Sequence, residues 1–297
     1  MCASRDLEKV KTALTQRQVR LTNGKTVPAI GQGTWYIGQS LAKRQQEINS
    51  LRLGVELGMT LIDTAEMYGD GLSEELVGEA IRGLRDEVFL VSKVYPHNAG
   101  LGTIASSCEQ SLRRLGTDCL DLYLLHWRGS VPFSETIEGM EKLVEAGKIR
   151  SWGVSNLDTA DMEELTAQAQ GTHCATNQVL YHLGSRGIEY DLLPWQRAND
   201  MPIMAYCPLA QAGSLRRGLV EHPTVQAIAS NHGISPYQLL LAWCIRKEAV
   251  IAIPKASSEE HVRENAAAIL VELSAEELLQ LDEAFPAPTR KLPLDIV

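Results

Sequence analysis

Three short apolar runs in this sequence end in side chains that could do proton chemistry together. Leu61-Ile62-Asp63 ends in a carboxylate, Val88-Phe89-Leu90-Val91-Ser92-Lys93 in an ammonium, and Leu120-Asp121-Leu122-Tyr123-Leu124-Leu125-His126 in an imidazole. Tyr68 follows Asp63 in Thr64-Ala65-Glu66-Met67-Tyr68-Gly69, where a loop is expected beyond the strand end. A phenol becomes a useful acid near neutral pH only if something lowers its pKa from about 10, and a nearby ammonium can do so; Lys93 is the candidate. Taken singly, each residue has a plainer explanation, a solvated strand-end lysine or a satisfied core histidine. Their recurrence at equivalent strand ends favours the chemical reading, because α/β barrels keep their reactive groups there.

The elements that must position these residues can be read from periodicity and punctuation. Apolar runs near Ile30, Leu61, Phe89, Leu122, Trp152, Thr176, Ile203 and Ile251 read as eight strands. Helical patterns separate most of them: 42–58, 73–83, 103–115, 134–146, 158–170, 189–199, 223–232 and 235–247, with 259–268 and 274–285 after the last strand. This alternation predicts an α/β chain folded as a (β/α)8 TIM barrel. Ahead of it, Asn23-Gly24 between Gln18–Leu21 and Thr26–Ile30 predicts a β-hairpin. Gly31-Gln32-Gly33 has only two of the three glycines of a dinucleotide fingerprint and no helix start behind it, so a Rossmann reading is rejected. The organisation expected is a polar, partly ordered extension over residues 1–17 and one barrel domain over 18–297.

The chain has 297 residues, 44% hydrophobic and 22% charged, enough apolar material for a large core. Its net charge of -9 argues against nucleic acid or an anionic membrane as a partner. No stretch approaches the ~20 apolar residues of a spanning helix. Six cysteines lack disulfide or zinc spacing, so no metal is expected and a reducing, cytoplasmic setting fits.

Three motifs resemble signatures of the aldo-keto reductase superfamily: Gly58 to Gly69 around Asp63-Thr64-Ala65, Gly147 to Asn156, and Ile253-Pro254-Lys255 through Glu264-Asn265. The resemblance runs from Val19 to Phe285, and within the family it is greatest to bacterial enzymes that reduce methylglyoxal and other small aldehydes. It implies a catalytic tetrad of Asp63, Tyr68, Lys93 and His126. Tyr68 would protonate the carbonyl oxygen as hydride arrives, Lys93 would depress the Tyr68 pKa, Asp63 would hold Lys93 charged, and His126 would orient the carbonyl.

The resemblance further implies a nicotinamide cofactor. Gly33, Thr34 and Trp35 would contact it, Ser155, Asn156 and Gln178 would hold its carboxamide, and Tyr206 would stack on its ring. Without the resemblance, Asn156 reads as a helix cap and Tyr206 as core packing. Leu209, Gln211 and Ser214 fall in the segment that covers the pyrophosphate. Lys255 and Ser257 fall where the adenosine 2'-phosphate is met, and Glu264 and Asn265 where the adenine is. These favour NADPH, with NADH a weaker alternative. Ala256 replaces a frequent hydroxyl and His261 a frequent phosphate-clamping arginine, which narrows the expected margin.

Trp35, Tyr95, His126 and Trp127 would line the substrate pocket. Barrel-rim packing is an equally good explanation of Trp127. The short tail after Phe285 suggests an open pocket for small carbonyl compounds, and a monomer is expected. Two other classes compete: a nucleotide-binding regulatory protein with little turnover, against which an intact tetrad argues, and a metal-dependent hydrolase, which lacks an H-x-H pair and leaves Tyr68 without a role.

Overall fold

The computed structural model describes residues 2–210 and 214–297. Among the described residues there are ten strands: β1 (Gln18–Arg20), β2 (Thr26–Pro28), β3 (Gln32–Gly33), β4 (Leu61–Asp63), β5 (Phe89–Val94), β6 (Leu122–Leu125), β7 (Trp152–Ser155), β8 (Asn177–Leu180), β9 (Ile203–Tyr206) and β10 (Val250–Ala252). β1 and β2 pair antiparallel about the Asn23-Gly24 turn, with Gly24 at φ 82°. The other eight run parallel in chain order. Parallel bridges Ile30–Ala252 and Gly33–Lys255 join β3 to the end of β10, and the sheet closes into a (β/α)8 barrel.

Closure explains the two glycines that mimic a nucleotide fingerprint. A Cβ on Gly33 would stand 2.6 Å from the Ile253 carbonyl oxygen, and one on Gly31 2.9 Å from that of Leu61. The seam needs backbones closer than any side chain permits. Between them the Gln32 amide packs over Gly54 and donates to the carbonyls of Leu51 (3.1 Å) and Met59 (3.0 Å), tying the first helix of the barrel to its first strand.

Every residue of β4, β6, β7 and β8 is buried, which is why these strands read as continuous apolar runs. The helices begin at caps visible in the sequence. Asp158 with Asp161, Ser235 with Gln238 and Ser274 with Glu277 form capping boxes. Gly116 and Gly233 end their helices in the left-handed conformation.

Two segments differ from expectation. Residues expected as a polar, partly ordered extension form the helix Cys2–Gln16, with Val10 and Leu14 buried and Leu7 partly so. Leu14 Cβ lies 3.2 Å from where a Cβ on Gly58 would be. The seven-residue helix Ser214–Val220 falls in a stretch to which the sequence pattern assigns no element. Among the described residues no helix is long and apolar enough to cross a membrane.

Candidate active site

The barrel brings the carboxylate, ammonium, phenol and imidazole together at the carboxyl ends of β4, β5 and β6. Lys93 has no exposed surface. Its Nζ donates to Asp63 Oδ2 (2.7 Å), the Thr64 carbonyl (2.8 Å) and the Tyr68 hydroxyl (3.1 Å), and stands 4.7 Å from the centre of the Tyr68 ring. The three donor positions of the ammonium are thereby filled. The other Asp63 oxygen accepts from Gln178 Nε2 (2.7 Å), which also approaches Met204 Sδ (2.9 Å). With both oxygens so engaged, Asp63 is poorly placed to ligate a cation.

Burial pushes the Asp63 carboxyl up and the Lys93 ammonium down, and each is opposed by the charge of the other. The 2.7 Å contact between them offsets part of the cost of burying both charges. Tyr68 departs from the expectation. Burial first, then the Asp63 charge and the neighbouring Cys207 and Tyr206, hold its phenol well above the ordinary value. Lys93 does not depress it in the free protein, because Asp63 lies nearer and neutralises the ammonium. Tyr68 is therefore a firmly neutral acid.

His126 meets Tyr68 edge-on, with ring centres 5.8 Å apart at 74°. Its Nδ1 is buried without a hydrogen-bond partner. Burial, reinforced by Lys93, pushes its pKa down to about 2, so the imidazole is neutral at physiological pH. It can donate or accept a hydrogen bond without delivering a proton.

A cavity of about 60 Å³ opens above this group. Trp35, Met67, Tyr68, His126, Trp127 and Asn156 contribute to its walls, with Ser155, Gln178 and Tyr206 beside them. Asn156 lies at φ 58°, a conformation asparagine tolerates. It does not cap the next helix, a task done by Asp158. Instead its Nδ2 donates to the His126 carbonyl (3.1 Å) and its Oδ1 accepts from the Tyr206 hydroxyl (2.8 Å). Ser155 Oγ donates to the Gln178 carbonyl (2.9 Å). Trp127 lines the cavity, and Tyr95 stands behind it, edge-to-face at 5.9 Å, so Tyr95 supports the wall without forming it.

A longer cleft of about 640 Å³ adjoins this cavity through Trp35, Tyr68 and Tyr206. It runs past Gly33, Thr34 and Leu209 to Lys255, Ser257 and His261, and Lys255 Nζ donates to Ser257 Oγ (3.2 Å) at that end. Glu264 and Asn265 sit one turn further along the helix Glu259–Ala267, off the lining. Gln211 and the Ser214 side chain lie outside the described residues. An elongated cleft with an exposed aromatic wall at one end and a lysine–histidine pair at the other fits a dinucleotide.

Sequence reasoning missed Cys207, which lines the cleft beside Tyr206, and the tail. The tail reaches the site: Ile296 and Val297, both still more than half exposed, line the small cavity, and Val297 also lines the cleft. Lys291 holds the tail down, donating to the N-cap residues Asp158 (Oδ1, 2.5 Å) and Asp191 (Oδ2, 2.7 Å). Asp295 accepts from Ser185. Nothing in the tail's composition announces these contacts.

The chain is 59% identical over 284 residues to methylglyoxal reductase YeaE of Escherichia coli, covering 96% of this chain and 100% of that one. It is 33% identical over 267 residues to glyoxal reductase of Bacillus subtilis, covering 89% and 91%. An aldo/keto reductase from Klebsiella pneumoniae, solved in complex with NADP and acetate, superimposes with a TM-score of 0.93 at 62% identity, covering 95% of this chain and 99% of that one. With the aldo/keto reductase family model matching residues 29–285, the chain belongs to the aldo/keto reductase family.

Proposed function

We propose that the protein reduces small aldehydes and 2-oxoaldehydes such as methylglyoxal to alcohols, using NADPH, with Tyr68 as the general acid. The observation that carries this reading is the Lys93 ammonium bridging Asp63 and the Tyr68 hydroxyl at the base of a cavity walled by His126. The relative at 59% identity bears the name methylglyoxal reductase, and the Klebsiella pneumoniae protein has been solved with NADP and with NADPH.

A reduced nicotinamide, when bound, would supply hydride to the carbonyl carbon. The protein's residues do the rest. The carbonyl oxygen sits between the Tyr68 hydroxyl and His126, whose neutral ring donates a hydrogen bond and orients it. Tyr68 gives its proton to the oxygen as charge develops there. The phenolate left behind lies 3.1 Å from Lys93 Nζ, and this contact strengthens as the negative charge appears. Asp63 keeps Lys93 charged and in place. Ser155, Asn156 and Gln178 would hold the carboxamide, and Tyr206, fixed through its hydroxyl on Asn156, would supply the ring wall. Trp35, Trp127, Ile296 and Val297 line a cavity with room for a small substrate.

Lys255, Ser257 and His261, at the far end of the cleft, would meet the 2'-phosphate. An imidazole clamps phosphate less well than a bidentate guanidinium, so the preference for NADPH over NADH is modest. The test is the initial rate of NADPH oxidation with methylglyoxal, in wild type and Tyr68→Phe, repeated with NADH. Loss of roughly 10²–10⁴-fold in kcat/KM on removing the hydroxyl is expected for a general acid. Retained activity in the variant would refute Tyr68 as the acid. NADPH binding without turnover of small aldehydes would point to a nucleotide-binding regulator, and equal or faster use of NADH would refute the phosphate assignment.

A further inference from the structure

The opposite end of the barrel holds a second, larger cleft that the reductase chemistry does not use. It has a volume of about 930 Å³ and lies between the hairpin segment from Gln16 to Thr22, the chain around Arg197, Asp200 and Met201, and the stretch from Ile245 to Val250. These segments precede β3, β9 and β10, so the cleft opens at the amino ends of the strands, away from Tyr68. Five cations line it: Arg17, Arg20, Arg197, Arg246 and Lys247. Only two carboxylates, Asp200 and Glu248, accompany them. On a chain of net charge -9 this is a pronounced local reversal.

Only one of the five cations is paired with an acid among the described residues. Arg246 is committed to Glu189 (3.0 Å), to the Tyr181 hydroxyl (3.0 Å) and to the face of Trp243, and forms a fixed wall. Arg17 is half-buried and donates to the Ile245 carbonyl. Among the described residues none of Arg17, Arg20, Arg197 and Lys247 makes an ion pair. Lys247 is half-buried; its surroundings hold Arg246, Arg197 and Arg186 against Glu189, and burial with this repulsion pushes its ammonium below the ordinary range. Burial does the same to Arg17, with Glu272 opposing. Cations that outnumber the anions beside them gain when a further anion enters. Two non-glycine residues on the rim, Asp200 (φ 52°) and Ala249 (φ 63°), adopt the left-handed conformation, a strain found where the backbone shapes a ligand site.

We propose that this cleft binds a small molecule bearing phosphate groups, gripped by Arg17, Arg20, Arg197 and Lys247. Guanidinium forks match phosphate oxygens in pairs, and a lysine adds a point charge. The bounded cleft suits a compact ligand, and the acidic remainder of the surface repels a long polyanion such as nucleic acid.

The test is calorimetric titration of inorganic pyrophosphate into the full chain at low ionic strength, with the catalytic-end cleft first saturated with NADP+ so that the phosphate end of that cleft cannot report. One saturable site per chain is expected. Its affinity should fall at least tenfold in Lys247→Gln and in Arg197→Gln, be kept in Lys247→Arg, and be unchanged in the distant control Lys142→Gln. Both substituted positions are far from the reductase site, so NADPH-dependent rates should match wild type and show that the variants fold. Absence of a saturable site, or equal weakening in the Lys142 control, would overturn the proposal. The result does not depend on which substrate the reductase site takes.

Discussion

Lowering the pH from about 7 to about 5 should destabilise the nucleotide-free protein by about 2 kcal/mol through His126 alone. The imidazole is 6% exposed, its Nδ1 has no partner, and its pKa is pushed down to about 2 in the folded chain. In the unfolded chain it returns to roughly 6.5. Between these values the unfolded state binds a proton that the folded state refuses. Stability tied to this residue is therefore complete above about pH 6.5 and is lost as the pH falls, by about 1.4 kcal/mol per unit. At about pH 5 the loss is close to 2 kcal/mol, against a tenth of that at about pH 7. Urea unfolding of wild type and His126→Asn at both pH values isolates the effect, because the other titrating groups are common to the two proteins. Wild type should lose about 2 kcal/mol more than the variant over that pH interval. Equal losses would mean that His126 titrates normally in the fold, and a neutral imidazole could no longer be assigned the orienting role. The same reasoning predicts no acidic limb from His126 in the pH dependence of kcat/KM above about pH 4.

Lys93→Met strands the buried Asp63 carboxylate and should cost about 3–5 kcal/mol of stability by chemical denaturation. Adding Asp63→Asn should recover much of it, and additivity of the two changes would deny the coupling read from the 2.7 Å contact. Gly33→Ala places a methyl 2.6 Å from the Ile253 carbonyl at the barrel seam, so a loss of about 1–3 kcal/mol is expected; a change below about 0.5 kcal/mol would show that the seam yields. Lys291→Ala removes partly exposed ion pairs and should change global stability by no more than about 1 kcal/mol. Freed from Asp158 and Asp191, the tail should be cleaved faster by added protease and KM for a small aldehyde should rise, whereas unchanged KM would mean that Ile296 and Val297 hold their place without the clamp.

The barrel was legible because parallel strands buried on both faces must be continuously apolar, and because Asp63, Lys93 and His126 interrupt that pattern where each strand emerges. Other features take their reason from the tertiary structure. Leu7, Val10 and Leu14 lie at helical spacing in the first helix, but the charged residues between them made the segment look like a solvated extension. Gly31 and Gly33 looked like a failed nucleotide motif; their reason is an approach to residues more than 200 positions away at the seam and to Leu61 beside it.

Local sequence alone determined which groups exist and on which kind of element each stands, since periodicity, caps and glycine punctuation act over a few residues. The tertiary structure alone decided their ionisation and company. That Asp63 takes up the charge of Lys93 and leaves Tyr68 a neutral phenol, that His126 is dry enough to refuse a proton, that the tail reaches the cavity, and that four cations meet beneath the barrel all depend on distances between residues far apart in the chain. Electrostatic interaction and desolvation are set by those distances and by burial, and neither is written in neighbouring residues.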